Sequence, residues 1–128
     1  MTIDEYNRIS GIVLDASIAV HRELGPGLLE SIYELCLVRE LVSRNLNVKS
    51  QVVIPLIYKG ELLSKDFKID ILVDDAVIIE VKAIEAILPV HEAQILSYLK
   101  LADKRLGLLI NFNVPTLTKG FRRFVNKL

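Results

Sequence analysis

The sequence has no tryptophan and only 6% aromatic residues. Its core must therefore be built from aliphatic side chains, and the 52% hydrophobic share supplies them, mostly as Leu, Ile and Val. It has a single cysteine, Cys36, which excludes an internal disulfide and with it a disulfide-stapled scaffold. Cys36 lies in the run Leu35-Cys36-Leu37-Val38, so it is expected as a buried small hydrophobe in a chain suited to a reducing compartment. Charge of neither sign is in excess, with 16 basic against 16 acidic residues. That weakens strong nonspecific nucleic-acid binding by bulk charge but leaves room for a local basic patch. No apolar run approaches the roughly 20 residues of a membrane span. The opening Met1-Thr2-Ile3-Asp4-Glu5-Tyr6 lacks the basic start and apolar core of a secretion signal. The expectation is a cytoplasmic protein with no membrane partner. At 128 residues, one domain over 1–128 is expected, which can bury about two thirds of its unfolded surface.

What is present reads in two periods. From about Asp4 to Leu24, Ile9, Ile12, Val13, Ala16, Ala19 and Val20 recur at helical spacing. Gly25-Pro26-Gly27 breaks that helix, and a second is expected from about Leu28 to Arg44. From Val48 the pattern turns β-branched. Val48 to Tyr58 reads as a strand in which Pro55 demands an edge position or a bulge. Lys59-Gly60 reads as a hairpin turn, and Leu62 to Val73 and Val77 to Ala83 as strands joined at Asp74-Asp75. Pro89 precedes a helix from about Val90 to Ala102, and Gly107 to Phe112 reads as a buried strand. The tail from Leu117 to Leu128 has no clear period. The order is α-α-β-β-β-α-β, an α/β (α+β) arrangement. Three consecutive strands make an antiparallel meander, and the last helix allows a crossover to the final strand.

Two acids and a following lysine stand out in two mostly apolar strands: Asp70 in Phe67-Lys68-Ile69-Asp70-Ile71-Leu72-Val73, and Glu80 and Lys82 in Val77-Ile78-Ile79-Glu80-Val81-Lys82-Ala83. Buried charges are costly unless paired or bound to a metal. Strand alternation puts Glu80 and Lys82 on one face. Hairpin register decides whether Asp70 joins them. A two-residue loop at Asp74-Asp75 sets Asp70 against Ile79, whereas a three-residue loop or a bulge sets it against Glu80. The second is expected, because only then can two carboxylates approach one ion. Hard oxygen donors without paired His or Cys ligands suit Mg²⁺ or Mn²⁺ better than zinc. An edge hairpin with one solvated face, in which Lys82 pairs with Glu80 or Asp70, accounts for the same pattern.

Further residues extend it. Gly27-Leu28-Leu29-Glu30-Ser31-Ile32-Tyr33 carries the signature of the GxxExxY protein family. Asp70, Glu80-Val81-Lys82, Gln94 with Tyr98 four residues on, and Gly107-Leu108-Leu109-Ile110-Asn111-Phe112 follow in matching order. Over nearly its whole length the chain resembles that family, which is placed in the PD-(D/E)XK nuclease superfamily. The resemblance implies a restriction-endonuclease-like core with a mixed central sheet flanked by helices. It implies Asp70 and Glu80 as direct metal ligands, the Val81 carbonyl as a third and Glu30 as the helical acid. It also implies Lys82 as the catalytic lysine, and Gln94 and Tyr98 as residues that contact substrate or support the site. Ile69 stands where the superfamily name has proline, which removes no ligand.

His91 lies one turn before Gln94, and His21 and Tyr33 lie near the Gly-rich break. All three are candidates for support or substrate contact, against ordinary structural roles. Lys119, Arg122, Arg123 and Lys127 could meet phosphates or simply be solvated. The expected function is metal-dependent phosphodiester hydrolysis of DNA or RNA. The alternative is an inactive nuclease-fold module that binds nucleic acid or a protein partner. Homodimerisation is a candidate supplement, because the apolar surplus can leave an exposed patch.

Overall fold

A computed structural model describes residues 1–128. Helix α1 spans Ile3–Leu24 and α2 spans Glu30–Ser43. Strands β1 (Val48–Tyr58), β2 (Glu61–Val73) and β3 (Val77–Lys82) follow. Helix α3 (Pro89–Ala102) leads to β4 (Leu106–Asn111), a short 3₁₀ turn at Leu117–Gly120 and β5 (Phe121–Val125). The expected elements are all present, with ends moved by one or two residues. The addition is β5, at the tail whose period was unclear. Only Phe121 and Phe124 are half-buried, three residues apart, and the other three are exposed, so the strand lacks the alternation that would mark it.

Local chemistry explains the boundaries. Thr2 and Glu5 form a reciprocal capping box at the start of α1. Gly25 ends that helix at φ +69°, and Gly27 follows at +99°, conformations in which a Cβ is strained. Pro89 occupies the first turn of α3, where its missing N–H costs nothing. Pro55 lies on the edge strand β1 at a break in register between Ile54 and Leu56.

The five strands form one sheet in the order β1-β2-β3-β4-β5. All neighbours are antiparallel except β3 and β4, which are parallel across the α3 crossover. Helices α1 and α2 cover one face. There Val13, Val20, Tyr33 and Leu37 pack with Ile71, Val73, Ile79 and Leu108 in the larger apolar cluster. Helix α3 covers the other face, where Leu99 packs with Ile54, Ile69, Leu72 and Ile78. No helix is long and apolar enough to cross a membrane. Cys36, expected inside, is only half-buried and lines a groove between α1 and α2 with Leu24 and Leu35.

The turn between β2 and β3 fixes the register on which the site depends. Val73 pairs with Val77, Leu72 with Ile78 and Ile71 with Ile79. The loop therefore holds three residues, Asp74-Asp75-Ala76. Asp74 and Asp75 adopt left-handed φ of 51° and 53°, which Asp tolerates better than most side chains. The Asp74 carboxylate accepts the Asn47 N–H at 2.9 Å, and Lys104 Nζ donates to the Asp75 carbonyl at 2.8 Å. One residue beyond Ile71 and Ile79, this register sets Asp70 across from Glu80.

Candidate active site

At Asp70 the sheet changes character. Ile71 packs in the α1/α2 cluster, while Ile69 packs in the α3 cluster. The strand therefore turns over between them. The same happens on β1, where Ser50 pairs with Ile71 and Val52 with Ile69. Between Ser50 and Val52 lies Gln51, at φ +52°. Backbone pairing of β2 with β3 stops at Ile71 and Ile79. Beyond it, carboxylates take over as acceptors. Asp70 Oδ2 accepts the Val81 N–H at 2.8 Å, and Glu80 Oε1 accepts the Asp70 N–H at 3.3 Å. The two strands part into a fork, and the acids fill it.

This placement decides against a solvated hairpin face. Glu80 is only 4% exposed. The four ion pairs of the structure, Arg44–Glu40, Lys104–Asp75, Arg105–Asp103 and Arg122–Glu92, include neither Asp70, Glu80 nor Lys82. Burial pushes the Glu80 carboxyl up to about 9, with the negative charge of Asp70 adding to the effect. The positive charge of Lys82, two residues on, works the other way without offsetting them. A buried carboxylate facing a second carboxylate without a cation is a costly arrangement.

Helix α3 supplies the next layer. Gln94 Nε2 donates to the Tyr98 hydroxyl at 3.1 Å. Burial holds the Tyr98 hydroxyl above its ordinary pKa, and the charges of Glu80 and then Asp70 raise it too. Tyr98 therefore feels the acid pair, and Gln94 reaches the site through it. Asn111 acts from behind. Its side chain accepts the Ile84 N–H at 3.1 Å and donates to the Ile84 carbonyl at 2.9 Å. This fixes the chain just after Lys82, which is paired with Asn111 in the parallel ladder.

Helix α2 contributes a residue that sequence reasoning missed. Gln51 Nε2 donates to both oxygens of Glu34, at 3.0 and 3.1 Å, and lies 3.5 Å from Asp70 Oδ1. Burial raises the Glu34 carboxyl, as do the charges of Asp70 and Glu30, while the Gln51 hydrogen bond lowers it. Glu34 is thus joined to Asp70 through the Gln51 amide. The available signal was the spacing: Glu30 and Glu34 are one turn apart on one helix face.

A model described as the PD-(D/E)XK nuclease superfamily matches residues 7–124. The chain belongs to that superfamily. The match is at the level of the superfamily, whose nucleases are generally divalent-metal dependent. Neither a search of curated proteins nor a search of solved structures returned a match. In this nuclease-superfamily chain, Asp70, Glu80 and Lys82 stand at the fork, with Val81 turned toward Asp70 through its N–H. The donor set fits a hard divalent cation: oxygen donors, one of them buried beside the other and neither ion-paired. No three acid or histidine side chains converge on one point, so an ion here would draw on the Asp70–Glu80 pair first.

Other expected residues make contacts that serve the fold. The His91 ring accepts the Leu88 N–H at 2.9 Å and caps α3. His21 Nε2 bonds the Val114 carbonyl at 2.8 Å, tying α1 to the loop after β4. Tyr33 is fully buried and stacks on Phe112, with ring centroids 4.7 Å apart. Its hydroxyl donates to the Gly25 carbonyl and accepts the Leu28 N–H. The Gly27-to-Tyr33 spacing thus locks the turn that launches α2. In the basic tail, Arg122 pairs with Glu92 at 3.4 Å, while Lys119 and Arg123 are exposed.

Proposed function

We propose that this chain is a divalent-metal-dependent nuclease that hydrolyses phosphodiester bonds of DNA or RNA. The observation that carries the reading is the Asp70–Glu80 pair, one member 4% exposed and neither ion-paired. Asp70 and Glu80 would hold Mg²⁺ or Mn²⁺, with the Val81 carbonyl and the helical acids Glu30 and Glu34 beside them. Such an ion supplies an activated water and neutralises charge on a phosphoryl oxygen.

The chain's own groups do the rest. Glu80 must give up its proton to become a ligand, so loading releases a proton and strengthens as pH rises toward 9. Lys82, on the same strand face as Glu80, offers N–H donors to a phosphate oxygen or to the attacking water. Tyr98, held by Gln94, lies on the α3 side, where a phosphate backbone would approach. The exposed Lys119 and Arg123 add charge for that backbone. The complete set of acid, acid and lysine favours turnover over an inactive binding module.

The test is incubation with single- and double-stranded DNA and RNA in Mg²⁺ or Mn²⁺, beside an Asp70→Ala control. Cleavage that disappears with Asp70→Ala supports the proposal. Cleavage that survives it points to a contaminant. Nucleic-acid binding with no cleavage of any substrate assigns the inactive module instead.

A further inference from the structure

Gln51 is the one residue of β1 whose backbone leaves the strand region in mid-strand, at φ +52°. A glutamine held there is strained. The distortion sits on β1 beside Asp70 of β2, at the point where both strands turn over. The side-chain hydrogen bonds it makes all go to acids. Nε2 lies 3.0 and 3.1 Å from the two oxygens of Glu34 and 3.5 Å from Asp70 Oδ1. The left-handed residue falls where β1 turns over, and there its side-chain amide meets Glu34.

We infer that Gln51 is a positioning residue of the acid cluster, its left-handed backbone aiming one side-chain amide between Glu34 and Asp70 so that the α2 carboxylate is held at the sheet fork. The inference rests on the metal-site reading above. Glu34 comes from a different element than Asp70 and Glu80, and like charges push it away. Two hydrogen bonds from one amide oppose that repulsion, at a position where the amide's positive edge faces both acids. A cation held at the Asp70–Glu80 pair would supply the same attraction, and Gln51 would keep Glu34 beside Asp70. Groups that orient a ligand without binding the ion typically account for 10–100-fold in metal affinity.

The experiment is a Mn²⁺ titration by calorimetry on the full chain, with melting temperature measured on each variant. Glycine accepts φ +52° freely, so Gln51→Gly removes the side chain while relieving the backbone. We expect Mn²⁺ affinity to fall at least about tenfold in Gln51→Gly, with a melting temperature no lower than the parent. Gln51→Asn, which also tolerates this backbone and keeps a shorter amide, is expected to lie between the two. Unchanged affinity in Gln51→Gly, against a parent that binds, overturns the role of Gln51 alone. Affinity and melting temperature falling together in both variants makes Gln51 a purely structural residue and overturns it too. A parent that binds no Mn²⁺ overturns the metal-site reading, and the inference falls with it.

Discussion

Ile71 and Ile79 face each other across β2 and β3, and one residue further on so do Asp70 and Glu80. The first pair is fully buried, laddered and packed under α1 and α2. In the second, side chains replace the backbone ladder and two carboxylates share a fork. The same two strands thus hold the molecule together and, within one residue, work against it. The three-residue loop Asp74-Asp75-Ala76 sets both pairs, so stability and site depend on one register. The comparison teaches that the cost of the fork is met by an aliphatic core next door, and that the two can be separated by substitution.

The largest effect should come from the laddered side. Ile79→Ala should lower unfolding free energy by about 2–5 kcal/mol, measured by urea denaturation. A loss well under 1 kcal/mol would mean that the ladder is not where stability lies. Next comes Tyr33→Phe, which keeps the stack on Phe112 but removes the hydroxyl from Gly25 and Leu28. It should cost about 1–3 kcal/mol and leave the cleavage rate of the folded protein unchanged. A drop in cleavage rate with stability intact would move Tyr33 to the site side of the comparison.

The smallest effect has the opposite sign. Glu80→Gln should stabilise the metal-free protein by about 0.5–2 kcal/mol at pH 8 while abolishing cleavage. The sign follows from the raised pKa. Protonated Glu80 suits the folded state, so its contribution is full below about 4.5 and is lost as pH rises toward 9. The gain from Glu80→Gln should therefore grow with pH across that window, read from denaturation curves at pH 5, 7 and 9. A variant less stable than the parent at pH 8 would contradict the view that the fork is a cost.

Much of this was legible in the sequence because it rests on period and on costly exceptions to it. Asp70, Glu80 and Lys82 stood out as charges in aliphatic strands, and the demand that two acids meet excluded a plain two-residue loop, leaving a three-residue loop or a bulge. The Gln94–Tyr98 pair followed from helical spacing. Tyr33 was noticed, but its work in locking the Gly25–Leu28 turn needed the fold. His21 and His91 carry no pattern that separates a capping ring from a catalytic one, and both proved to bond backbone groups. Glu34 and Gln51 stayed hidden for different reasons. Glu34 reads as an ordinary exposed acid on a helix, and nothing local tells that β1 brings a partner to it. Gln51 carries no sign of its left-handed backbone, because glutamine has no preference for one.

The account stands most directly on cation binding at the fork. Calorimetric titration of the parent and of Asp70→Ala with Mn²⁺ at pH 8 measures it. The account predicts binding by the parent, weakened at least about tenfold in Asp70→Ala, with protons released on loading. A parent that binds no Mn²⁺, or an Asp70→Ala variant that binds it equally well, would contradict the account.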